Sequence, residues 1–76
     1  MYIIIELQIT NGQTANIVQT KATKDEAMSV YHQILAAAAV SSVEYHTAIV
    51  VDKEGRYIAR ECYKHSKTST MENVNG

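Results

Sequence analysis

Residues 23–40 read TKDEAMSVYHQILAAAAV, and this stretch carries the clearest structural signal in the chain. Thr23 and Glu26 predict a capping box, in which the Thr23 hydroxyl accepts from the Glu26 amide and the Glu26 carboxylate reaches back to the Thr23 amide. Apolar residues then recur at spacings of three and four, as on one face of a helix. They are Ala27, Val30, Tyr31, Ile34, Leu35 and Ala38. The sequence therefore predicts one amphipathic helix that ends near Val40.

Strand patterns lie on both sides of this helix. Before it, apolar residues alternate from Ile3 to Ile9, and Asn11-Gly12 marks a turn into a second strand over 13–21. After it, a β-rich segment over 43–51 is followed by a type I turn at 52–55 and a return strand over 56–65. The predicted fold is α+β with the order β-β-α-β-β. It consists of a four-stranded antiparallel sheet with the amphipathic helix packed on one face.

The chain divides into two parts by composition. Residues 1–65 are predicted to form a single α+β domain, because this length has room for one core. Residues 66–76 are mostly polar, with Met71 and Val74 as the only apolar side chains. We therefore predict a disordered C-terminal tail over 66–76.

Strand register follows from the turns. A two-residue loop in the first hairpin would place Leu7 opposite Asn16, whereas a three-residue loop with Gly12 at positive φ places Leu7 opposite Ala15. We favour the three-residue loop, because it keeps more apolar side chains on one face. In the second hairpin, the expected register places His46 opposite Cys62.

Composition limits the classes of function. The chain has 76 residues, is 46% hydrophobic and has a formal net charge of −1, which argues against a nucleic-acid or anionic-membrane partner. No segment has the length and polarity of a signal peptide or a membrane-spanning helix. Cys62 is the one cysteine, so an internal disulfide is excluded. Together these features predict a cytoplasmic protein in a reducing compartment.

One helix can cover only one face of a four-stranded sheet. The face predicted to lack the helix still carries apolar side chains, at Tyr2, Ile4, Val18, Val50 and Ile58. An exposed patch of this kind favours a homo-oligomer interface, and small domains often gain stability by association. The alternative is that these side chains wrap the sheet edges of a monomer.

Polar residues of the second hairpin form a candidate binding site. His46, Arg60 and Lys64 would share a face and could bind a phosphate or carboxylate. Glu44 would lie on the same face, so the alternative is a solvated surface with a Glu44–Lys64 ion pair. Tyr45 and Tyr63 complete the candidate set, because tyrosines often anchor binding surfaces.

Few residues in the sequence are arranged as catalysis or metal binding would require. The His46–Cys62 pair could form a nucleophile and base, but mid-strand positions offer no nearby helix N-terminus or glycine loop as an oxyanion site. Zinc would need a fourth ligand besides Cys62, His46 and His65. We predict no enzyme activity, no catalytic or metal-ligating residues and no cofactor.

A resemblance extends these expectations. The run YHQILAAAAVSS over 31–42, with His46 and the closing residues 61–65 (ECYKH), resembles small proteins encoded by phages and mobile elements of Gram-positive bacteria. Some proteins of that class inhibit host defence by binding an effector or by sequestering a signal molecule. The residues predict a non-catalytic, homo-oligomeric binding protein, and the resemblance adds the expectation that it inhibits a host-defence effector as its protein partner. The alternative is an oligomer that sequesters an anionic, nucleotide-like small molecule.

Overall fold

The computed structural model describes residues 1–65. The elements are β1 (Tyr2–Thr10), β2 (Gln13–Lys21), α1 (Lys24–Ala39), β3 (Tyr45–Asp52) and β4 (Tyr57–Lys64). The strands form one antiparallel sheet in the order β2-β1-β3-β4, with α1 packed against it. This confirms the predicted α+β fold and adds the strand order, which places β2 and β4 at the edges. The predicted tail over 66–76 lies outside the described residues.

The helix begins and ends near its predicted residues. Thr23 is the N-cap, and its hydroxyl accepts from the Glu26 amide at 3.2 Å. The Glu26 carboxylate accepts from the Thr23 hydroxyl at 3.2 Å, whereas the sequence predicted that it would reach the Thr23 amide. Val40 is the C-cap and donates its N–H to carbonyls of the last turn. Asp25 and Glu26 lie in the first turn, where the helix dipole favours negative charge.

The helix covers the face of the sheet that carries Ile4 and Val50, which was predicted to lack the helix. Ile4 and Val50 are fully buried, and with Ala48 they form the core together with helix residues Ala27, Tyr31 and Ile34. The prediction that Ile4 and Val50 lie at an oligomer interface is therefore wrong. The small side chain of Ala48, at the centre of this face, leaves room for a helix to lie close to the sheet.

The first hairpin has a two-residue loop, so the predicted three-residue loop is wrong. Asn11 and Gly12 both have positive φ, at 55° and 76°, as a type I′ turn requires. Leu7 therefore lies opposite Asn16, and Ile5 lies opposite Val18. The type I′ turn matches the twist of the flanking strands, and this local geometry outweighed the more apolar face of the other register.

Replacing Gly12 with alanine should lower the free energy of unfolding by about 1–2 kcal/mol, because a β-carbon disfavours positive φ. No atom lies within 4 Å of the position that this β-carbon would take, so the loss is conformational and not steric. Gly12→Asn is the matched control and should cost less, since asparagine tolerates this conformation. Urea denaturation measures the free energy of unfolding of both variants. An alanine variant as stable as the wild type would contradict the turn assignment.

The second hairpin contains a β-bulge that changes its register. Val51 pairs with Tyr57, but Val50 pairs with Ala59, so Ile58 is the additional residue on β4. Ile58 and Ala59 both pack against the core, which explains why the strand accommodates the extra residue. Beyond the bulge every predicted pair shifts by one residue.

The turn between β3 and β4 follows the prediction. Gly55 has φ 84°, and its N–H donates to the Asp52 carbonyl at 2.9 Å. The Asp52 carboxylate accepts from the backbone N–H groups of Glu54 and Arg56 and from the Arg56 side chain. The Arg56 backbone N–H is the main cause that holds the pKa of Asp52 below its ordinary value.

Candidate functional site

The side of the sheet opposite the helix has an apolar centre on β1 and its neighbouring strands, and we call this side the open face. Its apolar positions are Ile3, Ile5, Leu7 and Ile9 of β1, Val18 of β2, and Ile49 and Val51 of β3. All of them are at least partly exposed, and Val18 is 57% exposed. No other element within residues 1–65 covers them. Contiguous exposed apolar surface of this kind is typical of an interaction site.

The charged groups of the open face lie along β4. Arg60 pairs with Ile49 and Lys64 pairs with Tyr45, which puts both cations on this face. The remaining strand positions on this face are Thr14, Asn16, Thr20, Tyr45, Thr47, Tyr57 and Cys62. None of these is acidic, so the open face combines an apolar centre with a cationic edge. Arg60 and Lys64 are four residues apart on one strand, which separates their Cα atoms by about 13 Å.

A polar cluster lies on the helix side of the sheet, beside the apolar core. His46 is buried, and its Nε2 lies 2.6 Å from the Glu6 carboxylate. Gln8 donates to the same carboxylate oxygen at 3.0 Å. Because a carboxylate can only accept, Nε2 of His46 carries the proton in this contact. The Nδ1 atom of His46 is buried without a hydrogen-bond partner among the described residues.

The structure does not assemble the predicted anion site. His46 pairs with Tyr63 and points to the helix side, whereas Arg60 and Lys64 point to the open face. The expectation that the three side chains share a face is therefore wrong, and the β-bulge is the reason. The bulge inserts one residue into β4, and a shift of one residue reverses which face each side chain occupies.

The other predicted site residues lie near the end of the sheet where β3 begins. A cleft of about 310 Å³ is lined by Glu44, Tyr45, Lys64 and His65. Tyr45 is 41% exposed on the open face. The Glu44 carboxylate accepts from the backbone N–H of Asn11 at 3.3 Å, and no ion pair between Glu44 and Lys64 is found among the described residues.

Tyr63 lies on the helix side, close to the C-terminal end of α1. Its ring stacks against His65, with ring centroids 6.3 Å apart, and His65 Nε2 lies 2.8 Å from the Ala38 carbonyl. This contact ties the end of β4 to the last turn of the helix. Burial is the main cause that raises the pKa of Tyr31, and the nearby Glu61 and Tyr63 raise it further.

Two further arrangements considered from the sequence are not formed. Cys62 pairs with Thr47 on the open face, so Cys62 and His46 lie on opposite sides of the sheet and cannot act as a nucleophile and base together. Within residues 1–65, no three His, Cys, Asp or Glu side chains are close enough to hold a metal ion.

Of the five residues predicted for an oligomer interface, only Val18 lies on exposed open-face surface. Ile4 and Val50 are in the core, and Tyr2 and Ile58 pack against it. The sequence reasoning therefore missed the open-face residues of β1. The strict alternation from Ile3 to Ile9 marked these residues as one face, but it could not show which face the helix covers.

The polar cluster was also missed. Glu6 and Gln8 alternate with the apolar residues of the first strand, and the sequence analysis gave them no role in a site. No sequence signal links them to His46, because the contact spans 40 residues and depends on the pairing of β1 with β3.

Comparisons of the chain with protein-family models, with curated proteins and with solved structures found no match. Among the described residues, no helix is both long and apolar enough to cross a bilayer.

Proposed function

We propose that this protein is a non-catalytic, cytoplasmic binding protein that acts as a homo-oligomer and uses the open face to bind the surface of another protein. The observation that supports this proposal is the apolar open face. Ile5 lies between Val18 and Ile49 at its centre, and no element of residues 1–65 covers these side chains. Apolar centres with polar rims are typical of protein–protein interfaces.

The positive charge of the open face indicates which charge the partner surface should carry. Arg60 and Lys64 lie on the edge strand, and no carboxylate is found at the strand positions of this face. A partner surface with an apolar patch flanked by Asp or Glu would match it, because complementary charges steer association and favour the correct partner. The resemblance to small phage and mobile-element proteins is the basis for proposing a host-defence effector as this partner.

Replacing Ile5 with lysine should weaken partner binding by about 2 kcal/mol or more, because a charge would be buried at the centre of the interface. Val40→Lys is the matched control, since Val40 is 87% exposed at the end of the helix. Proteins retained from host lysate by the wild type would be compared quantitatively with those retained by each variant. The recovered partner would then be purified and titrated calorimetrically.

The expected result is a partner that the wild type and Val40→Lys retain equally and that Ile5→Lys loses. Circular dichroism and urea denaturation would establish that both variants fold. A partner that binds folded Ile5→Lys as tightly as the wild type would contradict the proposal.

The second candidate function is binding of an anionic, nucleotide-like small molecule. The cleft beside Tyr45 and Lys64 favours it, because an aromatic ring next to a cation suits a base and a phosphate. Arg60 does not line this cleft, so an anion that contacts both Arg60 and Lys64 must extend about 13 Å along the strand. Native mass spectrometry of gently purified protein tests this candidate. A stoichiometric small anion that is lost in the Arg60→Ala, Lys64→Ala double variant would favour it over the protein partner.

A further inference from the structure

The edge strand β2 is accessible from both sides of the sheet. Eight of its nine residues are exposed, and Lys21 is half-buried. On the helix side, α1 lies mainly over β1 and β3, so Ile17 remains 51% exposed. On the other side, Val18 is 57% exposed on the open face. The strand therefore contributes little to the core of the monomer, although it is as long as β1.

The two edge strands differ in how they are protected against pairing. β4 contains the bulge at Ile58 and the charged residues Arg60, Glu61 and Lys64. Bulges and charges are the usual devices that prevent an edge strand from pairing with another chain. β2 has no proline, its register with β1 is unbroken, and its only charged residue is the terminal Lys21. β2 therefore lacks the features that prevent another strand from pairing with the edge of a sheet.

The backbone groups that face outward on β2 can be identified from the first hairpin. Thr10 and Gln13 flank the two-residue turn and form a hydrogen-bonded pair, and such pairs alternate along an antiparallel ladder. The odd-numbered residues of β2 therefore bond to β1. The N–H and C=O groups of the even-numbered residues point away from the sheet. These are Thr14, Asn16, Val18 and Thr20.

We propose that β2 pairs antiparallel with β2 of a second copy, around a two-fold axis at Ile17. In this register Ile17 lies opposite its own copy. The other cross-strand pairs are Asn16 with Val18, Ala15 with Gln19, Thr14 with Thr20, and Gln13 with Lys21. The outward-facing residues pair only with one another, which allows about eight hydrogen bonds between the chains. No like charges meet, and the two apolar Ile17 side chains contact each other.

This dimer would be the homo-oligomer of the proposed function, on which the inference rests. It also has a consequence for partner binding. A two-fold axis perpendicular to the sheet keeps both helices on one side and joins the two four-stranded sheets into one of eight strands. The two open faces then form one continuous surface. A dimeric or repetitive partner would be bound at two sites at once, which increases the apparent affinity without new contacts.

The test compares Ile17→Lys with Ala15→Lys. Both substitutions add one lysine on the same face of the same strand, but only Ile17 lies opposite itself in the proposed register. Size-exclusion chromatography with light scattering distinguishes the 8.4 kDa monomer from a dimer. We expect a dimeric wild type, and we expect Ile17→Lys to raise the dimer dissociation constant about tenfold or more. Ala15→Lys, which lies opposite Gln19, should change it much less.

A charge-reversal experiment checks the pairing directly. Ile17→Glu should raise the dimer dissociation constant as Ile17→Lys does, and an equimolar mixture of the two variants should recover the dimer, because opposite charges would then face each other. In the wild-type dimer, amide exchange at Thr14, Asn16, Val18 and Thr20 should slow relative to the Ile17→Lys monomer. Exchange at the odd-numbered residues of β2 should change less.

Several outcomes would overturn the pairing. A wild type that remains monomeric at high micromolar concentration contradicts it, and a monomer with protected β2 amides would indicate that residues 66–76 cover the edge instead. A dimer that persists equally in folded Ile17→Lys would show association through another surface. Because the protein is tested alone, these results are independent of the partner-binding test with Ile5→Lys.

Discussion

Ile4→Ala should lower the free energy of unfolding by about 2–5 kcal/mol, which is the usual range for removing a buried isoleucine side chain. Ile4 is completely buried, and it packs between the sheet and the helix in the same cluster as Tyr31 and Val50. The loss combines the lost burial of the side chain with the cavity that remains. It is large relative to the total stability expected of so small a domain. Urea denaturation followed by circular dichroism measures it.

Ile5→Ala is the matched control, because it makes the same chemical change one residue along the same strand. Ile5 is only half-buried and faces the open side, so we expect a loss of roughly 1 kcal/mol. If Ile4→Ala is too unstable to purify, Ile4→Val should still cost about 0.5–1.5 kcal/mol. A larger loss from Ile5→Ala than from Ile4→Ala would mean that the helix covers the opposite face of the sheet.

Glu6→Ala should lower the free energy of unfolding by about 1–3 kcal/mol, since it leaves a buried polar atom of His46 without a partner. The Glu6 carboxylate accepts a hydrogen bond from His46 Nε2–H at 2.6 Å. His46 Nδ1 already has no partner among the described residues, so the variant would leave both ring nitrogens unsatisfied. Comparing urea denaturation of the variant and the wild type at neutral pH measures the loss.

Two controls separate the hydrogen bond from other effects. Glu6→Gln keeps an oxygen that accepts from His46 and should recover part of the lost stability. Gln8→Ala removes only the donor to the Glu6 carboxylate and should cost about 1 kcal/mol or less. Equal losses from Glu6→Ala and Glu6→Gln would show that His46 does not depend on the acceptor at this position.

The secondary structure was predictable because its signals are local. The capping residues Thr23 and Glu26 are three positions apart, and the turn signals at Asn11-Gly12 and Gly55 involve neighbouring residues. The bounds of β2 and the end of the helix near Val40 were predicted correctly for the same reason. Local signals of this kind do not depend on contacts between distant segments.

Register was predicted less well. In the first hairpin, the choice between loops turned on apolar content, but the positive φ angles of Asn11 and Gly12 favour the type I′ turn whatever the strands contain. In the second hairpin, nothing in the sequence indicates the bulge at Ile58, because no glycine or proline lies at that position. It forms because Ile58 and Ala59 both reach the core, which is a tertiary effect.

The candidate binding surfaces depended on these registers. One inserted residue in β4 separated His46 from Arg60 and Lys64, because neighbouring side chains on a strand point to opposite faces. The open face could be listed residue by residue from the alternation of β1. The sequence could not show that this face is the exposed one, because both faces of β1 are apolar near Ile4 and Ile5.

Local signals in the chain specify its elements, which are two hairpins around one capped amphipathic helix with chain reversals at fixed residues. Tertiary packing selects the face of the sheet that the helix covers and the edge strand that remains unprotected. The difference arises because helix caps and turns are set by hydrogen bonds and φ angles within a few residues. The covered face is chosen by packing between distant segments, where the small Ala48 and the bulged β4 fit the helix.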